Sequence, residues 1–355
     1  MAKAKKKTAE ELASEVTNAA GAEEPKKKKS IEDMIVSGAT WMLKPKQIIQ
    51  VSPAIDIALR GGVPEGSVCI FTGPPKCGKT TTALKLAANA QKAQYAVNGE
   101  VRKVFVYNVE GRLKPRDLEA AGIDLNNAYI VESTTGNILS GEDFLEIAVI
   151  KIKENPYSIH IVDSFSQLCT TEEIAGGMNK MQRADGAKLL KKFFRIVCND
   201  VPVNNCIVIG ITHIMGNPSG MGGDGEGGGY GAKYSADVKL RCSHVQRWTI
   251  GADEESEQIG QKVFWRVESS ALGPTGVKFM SYLRYGSSLD EEVELIEMCG
   301  DIDIIKKGGA WYTVEVDGVE KKVQGKENLK EFLKSNPVVA AKYKKELYDM
   351  FGVKQ

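Results

Sequence analysis

A chain of 355 residues with 42% apolar and 26% charged side chains is long enough for two or three domains and has the make-up of a globular protein. A net charge of +1 excludes attraction of nucleic acid by the molecule as a whole, so any such surface must be local. No apolar run has the length of a membrane span and the first residues lack the apolar stretch of a signal peptide, so a cytoplasmic protein is expected. Seven cysteines with no C-x-x-C pair, most in apolar runs like those of Cys69, Cys198 and Cys206, suit reduced thiols better than a zinc site or a disulfide framework.

Residues 1–30 read as a tail. Lys5-Lys6-Lys7 and Lys26-Lys27-Lys28-Lys29 alternate with alanine and acidic residues, and large apolar residues are few. A solvated arm is expected, with at most a weak, salt-sensitive attraction for nucleic acid. Structure is expected to begin in residues 31–50, where Ser30 and Asp33 precede Met34, Ile35 and Trp41 in the manner of a helix start. From about residue 48 apolar runs and helical patterns alternate. The runs are 68–71, 104–107, 159–162 and 206–211; helical stretches fall around 80–95, 141–154 and 182–199. Continuous buried runs joined by helices predict a parallel sheet covered on both faces. Runs at 238–242, 263–267 and 277–283 have no helices between them and are expected to extend the sheet as antiparallel neighbours. After Gly286 the pattern becomes helix, short strands and helix, which predicts a small separate α+β domain over 286–355, behind a core over 51–285.

Gly73-Pro74-Pro75-Lys76-Cys77-Gly78-Lys79-Thr80 spells G-x-x-x-x-G-K-[ST], with an apolar strand before it and a helical pattern after it. Glycines at 73 and 78 let the backbone curl until several N–H groups face one anion, and the helix start adds its positive end. Lys79 then suits the β- and γ-phosphates of ATP, the Thr80 hydroxyl suits Mg²⁺, and Thr81 continues the cradle. Cys77 sits at the helix N-terminus, where the positive end favours thiolate; a buried, inert thiol is the other reading. Three further strand ends carry chemistry. Asp163 closes the 159–162 run, where a carboxylate faces the crevice and can hold Mg²⁺ through water or merely cap a turn. Glu110, beyond the 104–107 run, suits a base that orients or deprotonates water. Thr212-His213 closes the 206–211 run, where a polar side chain can report the γ-phosphate or be only structural. Gly216 to Gly231 holds nine glycines in sixteen residues and no basic residue. Such a segment forms no regular element unaided, and its place after His213 lets nucleotide state order or release it.

Together these residues resemble the RecA-type strand-exchange recombinases of bacteria and phages, from about Val51 onward. Val51 to Leu59 and Gly61-Gly62-Val63-Pro64-Glu65-Gly66 are similar to that family's approach to its phosphate loop. Gly309-Ala310-Trp311-Tyr312, Gln324-Gly325-Lys326-Glu327-Asn328 and Asn336-Pro337 are the most specific match. The resemblance implies a P-loop NTPase core with a mostly parallel sheet, an antiparallel extension and a small C-terminal domain. It implies that Glu110 is catalytic, that Asp163-Ser164 is the magnesium pair and that His213 senses the γ-phosphate. It implies two DNA-binding loops: Glu172 to Arg183, with Gly176, Gly177, Met178, Asn179 and Lys180, and Gly216-Asn217 to Lys233, with Gly228, Gly229, Tyr230 and Gly231. Single-stranded DNA, a homologous duplex and neighbouring copies in a head-to-tail helical filament are the implied partners, with the 31–50 segment packing on the next copy; loading proteins are not readable. Two departures stand out. The loop carries Pro75 and Cys77 where Gly or Ser is usual, and Glu268, Ser269 and Ser270 occupy a turn where the family usually presents lysines. A closed hexameric helicase-like ATPase and a non-catalytic, nucleotide-gated DNA scaffold remain as alternatives.

Overall fold

The computed structural model describes residues 35–42, 45–176, 185–215, 225–226, 236–250 and 256–353. The chain divides into two compact units, 1–45 and 46–355. In the first, a short helix α1 (Gly38–Met42) carries Trp41 on an exposed face. The tail over 1–30 and the helix start expected at Ser30 and Asp33 lie outside the described residues.

In the second unit β1 (Ile48–Ile49) pairs antiparallel with β2 (Val63–Pro64), around α2 (Pro53–Leu59), whose proline occupies the first helical turn. Nine strands then form one sheet. Its parallel part is β3 (Val68–Gly73), β4 (Val104–Asn108), β5 (Ala128–Val131), β6 (Ile159–Asp163) and β7 (Ile207–Met215), in the order β3-β7-β6-β4-β5. The connections include α3 (Lys79–Ala90), α4 (Pro115–Ala121), α5 (Gly141–Glu154) and α7 (Asp185–Val203), with a short α6 (Thr171–Gly176) before the last. All six residues of β3 are buried, as a strand covered on both faces requires. Ser140 caps α5 by accepting from the Asp143 N–H at 3.2 Å, while the Asp143 carboxylate accepts from the Ser140 N–H at 2.8 Å.

The extension differs from expectation in one pairing. β9 (Val238–Thr249) runs parallel to β3, and only β10 (Gln258–Ser269) and β11 (Lys278–Arg284) are antiparallel. β9 and β10 also run to twelve residues each. Residues 243–247 of β9 are all exposed, so hydrophobicity fades there while the ladder continues. β7 likewise runs past the expected Ile211, because a two-residue strand β8 (Gly225–Glu226) pairs with Ile214 and Met215. The glycine-rich segment thus gains a strand by leaning on a neighbour's backbone.

Two apolar layers flank the sheet. One joins α2, α3 and α4 to Phe71, Val104, Ile209 and Trp265; the other packs α5 and α7 on Ile70, Tyr107, Val162 and Val208. In the second layer Phe165, Phe193 and Phe194 meet edge-on at 5.5–6.0 Å. Phe165 fills the space where residue 210 of β7 would carry a side chain: a Cβ on Gly210 would lie 1.8 Å from its ring. Cys198 does not share this core. The apolar run that holds it is one stripe of the amphipathic α7, and Cys198 falls on the exposed face.

Beyond Gly286 the chain forms α8 (Glu291–Asp301), a three-stranded antiparallel sheet of β12 (Lys306–Gly308), β13 (Trp311–Val316) and β14 (Val319–Gln324), then two helices, α9 (Lys326–Ser335) and α10 (Pro337–Met350). Two helices stand where one was expected, because Pro337 has no N–H to continue α9 and starts α10 instead. These elements share their own apolar core around Leu295, Ile305, Val314, Leu333 and Leu347.

Buried carboxylates tie this region to α2. Asp56, fully buried, accepts from the Val51 N–H at 2.7 Å and the Tyr348 hydroxyl at 2.6 Å. Glu294 accepts from the N–H groups of Ala54 at 3.2 Å and Tyr282 at 3.3 Å. Burial pushes Asp56 up to about 7, against the Lys344 charge and the Tyr348 and Val51 hydrogen bonds. Burial pushes Glu294 up to about 8, against the Ala54 and Tyr282 N–H bonds. The folded chain therefore holds two protons that the unfolded chain releases near 3.8 and 4.5. The stability they contribute is complete below those values and is lost as pH rises through 7 and 8. Thermal melts should show stability falling from pH 5 to pH 9 by at most roughly 7 kcal/mol, about five pKa units at 1.36 kcal/mol each. The Asp56→Asn, Glu294→Gln double variant should flatten that slope; an equally steep profile would mean that these groups do not control it.

Candidate nucleotide site

The carboxyl ends of β3, β4, β6 and β7 open on a cavity of ≈ 390 Å³. This is the edge where an open parallel sheet offers a crevice to a ligand. The loop between β3 and α3 forms one wall, and Lys76, Cys77, Gly78, Lys79, Thr80 and Thr81 line it together with Pro75. Gly73 and Pro74 lie behind them. Gly78 stands at φ 88° as the cap of α3, a backbone region that glycine enters without strain. Lys76 also has positive φ, 59°, and its carbonyl accepts from the Gln261 side-chain amide of β10 at 2.9 Å. The first N–H groups of α3 have no carbonyl upstream within the helix, so they face the cavity mouth as donors.

Lys79 is buried, and its ammonium donates to the Gly73 carbonyl at 3.0 Å and the Pro74 carbonyl at 2.7 Å. The loop's own oxygens hold the cation at the base of the cavity. The Thr80 hydroxyl donates to Asp163 Oδ2 at 2.7 Å. Burial pushes the Asp163 carboxyl above its ordinary value, and the Glu110 charge adds to this, while the Thr80 bond pulls the other way. Thr80 and Asp163 together offer hard oxygen donors and no nitrogen or sulfur. Mg²⁺ suits such a pair, since it keeps several waters and takes its remaining ligands from phosphates. Among the described residues no cluster of three or more His, Cys, Asp or Glu could hold a metal alone.

Glu110 faces this group from beyond β4. Its Oε1 accepts from the Ser164 hydroxyl at 2.8 Å and lies 2.8 Å from His213 Nε2, and Arg112 approaches Oε2 at 3.4 Å. Burial alone would push the carboxyl up. The bonds from His213 and Ser164, with the charges of His213 and Arg112, outweigh it and hold the group below its ordinary value. Glu110 is therefore ionised at neutral pH. Asn108 supports its turn, accepting from the Arg112 and Leu113 N–H groups at 3.1 and 3.3 Å. His213 is inside β7, not beyond it, because β8 lengthens that strand. Its N–H donates to Ser166 Oγ at 2.8 Å, and its buried Nδ1 has no partner among the described residues.

The structure thus brings Lys79, Thr80, Thr81, Asp163, Glu110 and His213 into one cavity. Of the proposed DNA contacts, Glu172 and Gly176 lie on α6, a short helix where a loop was expected, with Glu172 exposed. Gly177, Met178, Asn179, Lys180, Arg183, Gly216, Asn217, Gly228, Gly229, Tyr230, Gly231 and Lys233 lie outside the described residues. Cys77 is buried. Its thiol is lowered to about 7, first by the neighbouring Cys242 thiol and only then by the Lys79 charge, so a partner cysteine rather than the helix end dominates. Gln261, Ser166 and the buried Thr72–Thr212 hydroxyl pair at 2.7 Å were not legible beforehand. Ser166 stands three residues from Asp163 and was within reach of a strand-end argument. Gln261 comes from a strand 185 residues beyond the loop it supports, and no local pattern marks it.

Comparison with other proteins bears on the family. The RecA N-terminal domain family matches residues 24–286 and the RecA C-terminal domain family matches residues 293–352. The chain is 30% identical over 332 residues to the protein RecA of Streptomyces avermitilis, spanning 91% of this chain and 83% of that one. It is 29% identical over 334 residues to the protein RecA of Lactobacillus johnsonii, spanning 92% and 88%. For the protein RecA of Salinispora arenicola the figures are 30% over 332 residues, 91% and 90%. A phosphate loop set in this sheet order, with both domain families matched in sequence, places the chain in one lineage: it belongs to the RecA family.

Proposed function

We propose that this chain is an ATP-dependent recombinase that polymerises head-to-tail on single-stranded DNA, pairs it with a homologous duplex and exchanges strands, in the cytoplasm. The observation that carries this reading is the single Glu110 carboxylate held by Ser164 after β6 and His213 in β7. Those two strands lead directly into the proposed DNA loops over 172–183 and 216–233. A base for hydrolysis and the roots of both DNA contacts thus share one hydrogen-bonded unit.

In this mechanism Lys79 leaves its loop carbonyls to meet the β- and γ-phosphates, and the first turn of α3 donates N–H groups to them. Thr80 and Asp163 would hold Mg²⁺, which would neutralise phosphate charge when bound. Glu110 orients the attacking water and accepts its proton. His213 donates to Glu110 and stands where loss of the γ-phosphate would be felt at the end of β7. ATP binding at contacts between copies would lock the filament, and hydrolysis would release DNA.

One observation favours a non-catalytic, nucleotide-gated scaffold instead. Glu268 and Ser269, expected in a turn, are instead the last two residues of β10, and Lys239 at 3.0 Å and Arg241 at 3.6 Å neutralise Glu268. No lysine stands there to act on a neighbour's nucleotide. ATP turnover with and without single-stranded DNA separates the two readings, and electron microscopy with ATP separates an open filament from a closed hexameric ring. DNA-stimulated turnover with filaments supports the recombinase; DNA binding without turnover supports the scaffold.

Three variants test the residue roles. Lys79→Ala should abolish turnover, because the phosphates lose their main positive partner; normal hydrolysis by that variant would remove the loop from the mechanism. Glu110→Gln should keep ATP binding but slow hydrolysis by about two to four orders of magnitude, the range for losing a general base. Unchanged turnover would reduce Glu110 to a strand-end residue. His213→Ala should bind ATP, yet its single-strand affinity should no longer differ between ATP and ADP, since coupling is reciprocal. An intact difference, read by fluorescence anisotropy, would take the sensor role away from His213.

A further inference from the structure

Cys77 lies in the phosphate loop and Cys242 in β9, which runs beside β3 with Thr72 opposite Arg241. A Cβ placed on Gly73 would lie 2.7 Å from Cys242 Cβ and 2.8 Å from Cys77 Sγ. The bare glycine is what lets the two cysteines meet at one point behind the loop. The Lys79 ammonium lies 3.8 Å from Cys77 Sγ, and the Cys242 thiol donates to the His244 carbonyl at 3.6 Å. Cys77 is buried in the resting loop but is among the residues lining the nucleotide cavity, the side from which a small reagent would have to approach it.

We propose that Cys77 and Cys242 form an oxidisable dithiol, a modification site for hydroperoxides, whose disulfide ties the phosphate loop to β9 and shuts off nucleotide binding. The proposal rests on reading this loop as the nucleotide site. The chemistry balances in two steps. The Cys77 thiolate attacks one oxygen of the hydroperoxide, the O–O bond breaks, and the departing oxygen takes up a proton and leaves as water or an alcohol. Cys77 is now a sulfenic acid. The Cys242 sulfur then attacks the Cys77 sulfur, the S–O bond breaks, and hydroxide leaves as water with the Cys242 proton. Two thiols lose two electrons and two protons, and the peroxide O–O bond is reduced.

The neighbouring Cys242 thiol and the Lys79 charge both favour the Cys77 thiolate, which makes Cys77 the first to react. A loop tethered through residue 77 cannot settle its N–H groups around phosphate, and Lys79 loses a loop free to release it. Exposed Cys169 and Cys198 are the side reactions to remove.

The test uses the full chain with Cys169→Ser and Cys198→Ser, treated with hydrogen peroxide, then split for two measurements. Mass spectrometry of a non-reduced digest should find Cys77 and Cys242 in one linked peptide, and prior saturation with ATP and Mg²⁺ should suppress it. Titration with a fluorescent ATP analogue should show affinity weakened about tenfold or more, which is about 1.4 kcal/mol, and restored by dithiothreitol. Adding Cys242→Ser, or Cys242→Ala should the serine variant fold poorly, should leave affinity insensitive to peroxide. No linked peptide, a linked peptide with unchanged affinity, or equal loss in the Cys242 variants would each overturn the proposal. Untreated protein that does not bind the analogue would instead overturn the nucleotide reading, while the linked peptide still reports on the dithiol.

Discussion

Parallel strand register is the constraint on which this molecule depends. Gly73 lies opposite His213, Thr72 opposite Thr212, and Asn108 opposite Asp163. Each chemical residue therefore reaches the same edge of the sheet at the same height. Because side chains alternate faces along a strand, a slip of β7 by one residue would send His213 to the wrong side of the sheet. The apolar layers on both faces forbid that slip, since it would also carry Ile209 and Ile211 out of one core and Val208 out of the other. The site is accurate because the strands beneath it cannot move without exposing the core.

Charge is distributed by the same economy. Carboxylates that serve structure, Asp56 and Glu294, are wholly buried and raised. The carboxylate placed for chemistry, Glu110, is only partly buried and is kept ionised by donors from two other strand ends. A buried ion pair, Arg102 with Glu65, joins the segment before β4 to the β2–β3 turn, and the Arg102 guanidinium also serves the Tyr95 carbonyl and Gln47. Removing one member would strand the other charge in the interior, so such groups persist as a set.

Much of this was legible from the chain alone, for identifiable reasons. Val68 to Phe71 followed by G-x-x-x-x-G-K-T needs no tertiary context, because strand, curl and helix start are encoded within a dozen residues. Asp163 and Glu110 followed from the rule that strand ends face the crevice. What escaped was set by pairing between distant segments. The parallel sense of β9 depends on where the 22 residues that follow β7 return the chain. The length of β7 depends on two residues of a glycine-rich segment. Cys198 misled because an apolar run does not by itself say which side of a helix a residue occupies. Gln261 reaches the phosphate loop only because β10 stands two strands away from β3, and nothing near Gln261 announces it.

Gly210 touches no group of the nucleotide site, yet the site is set from behind by the space it leaves. Phe165 occupies that space, and Phe165 lies between Ser164, which serves Glu110, and Ser166, which receives the His213 N–H. The ring works as a wedge driven through the strand layer, with the two serines as its shoulders. A methyl group at 210 would lift the wedge, and both shoulders would shift together. The alignment of acid, histidine and hydroxyl is thus vulnerable to a defect on the far face of the sheet, in a residue with no chemistry of its own.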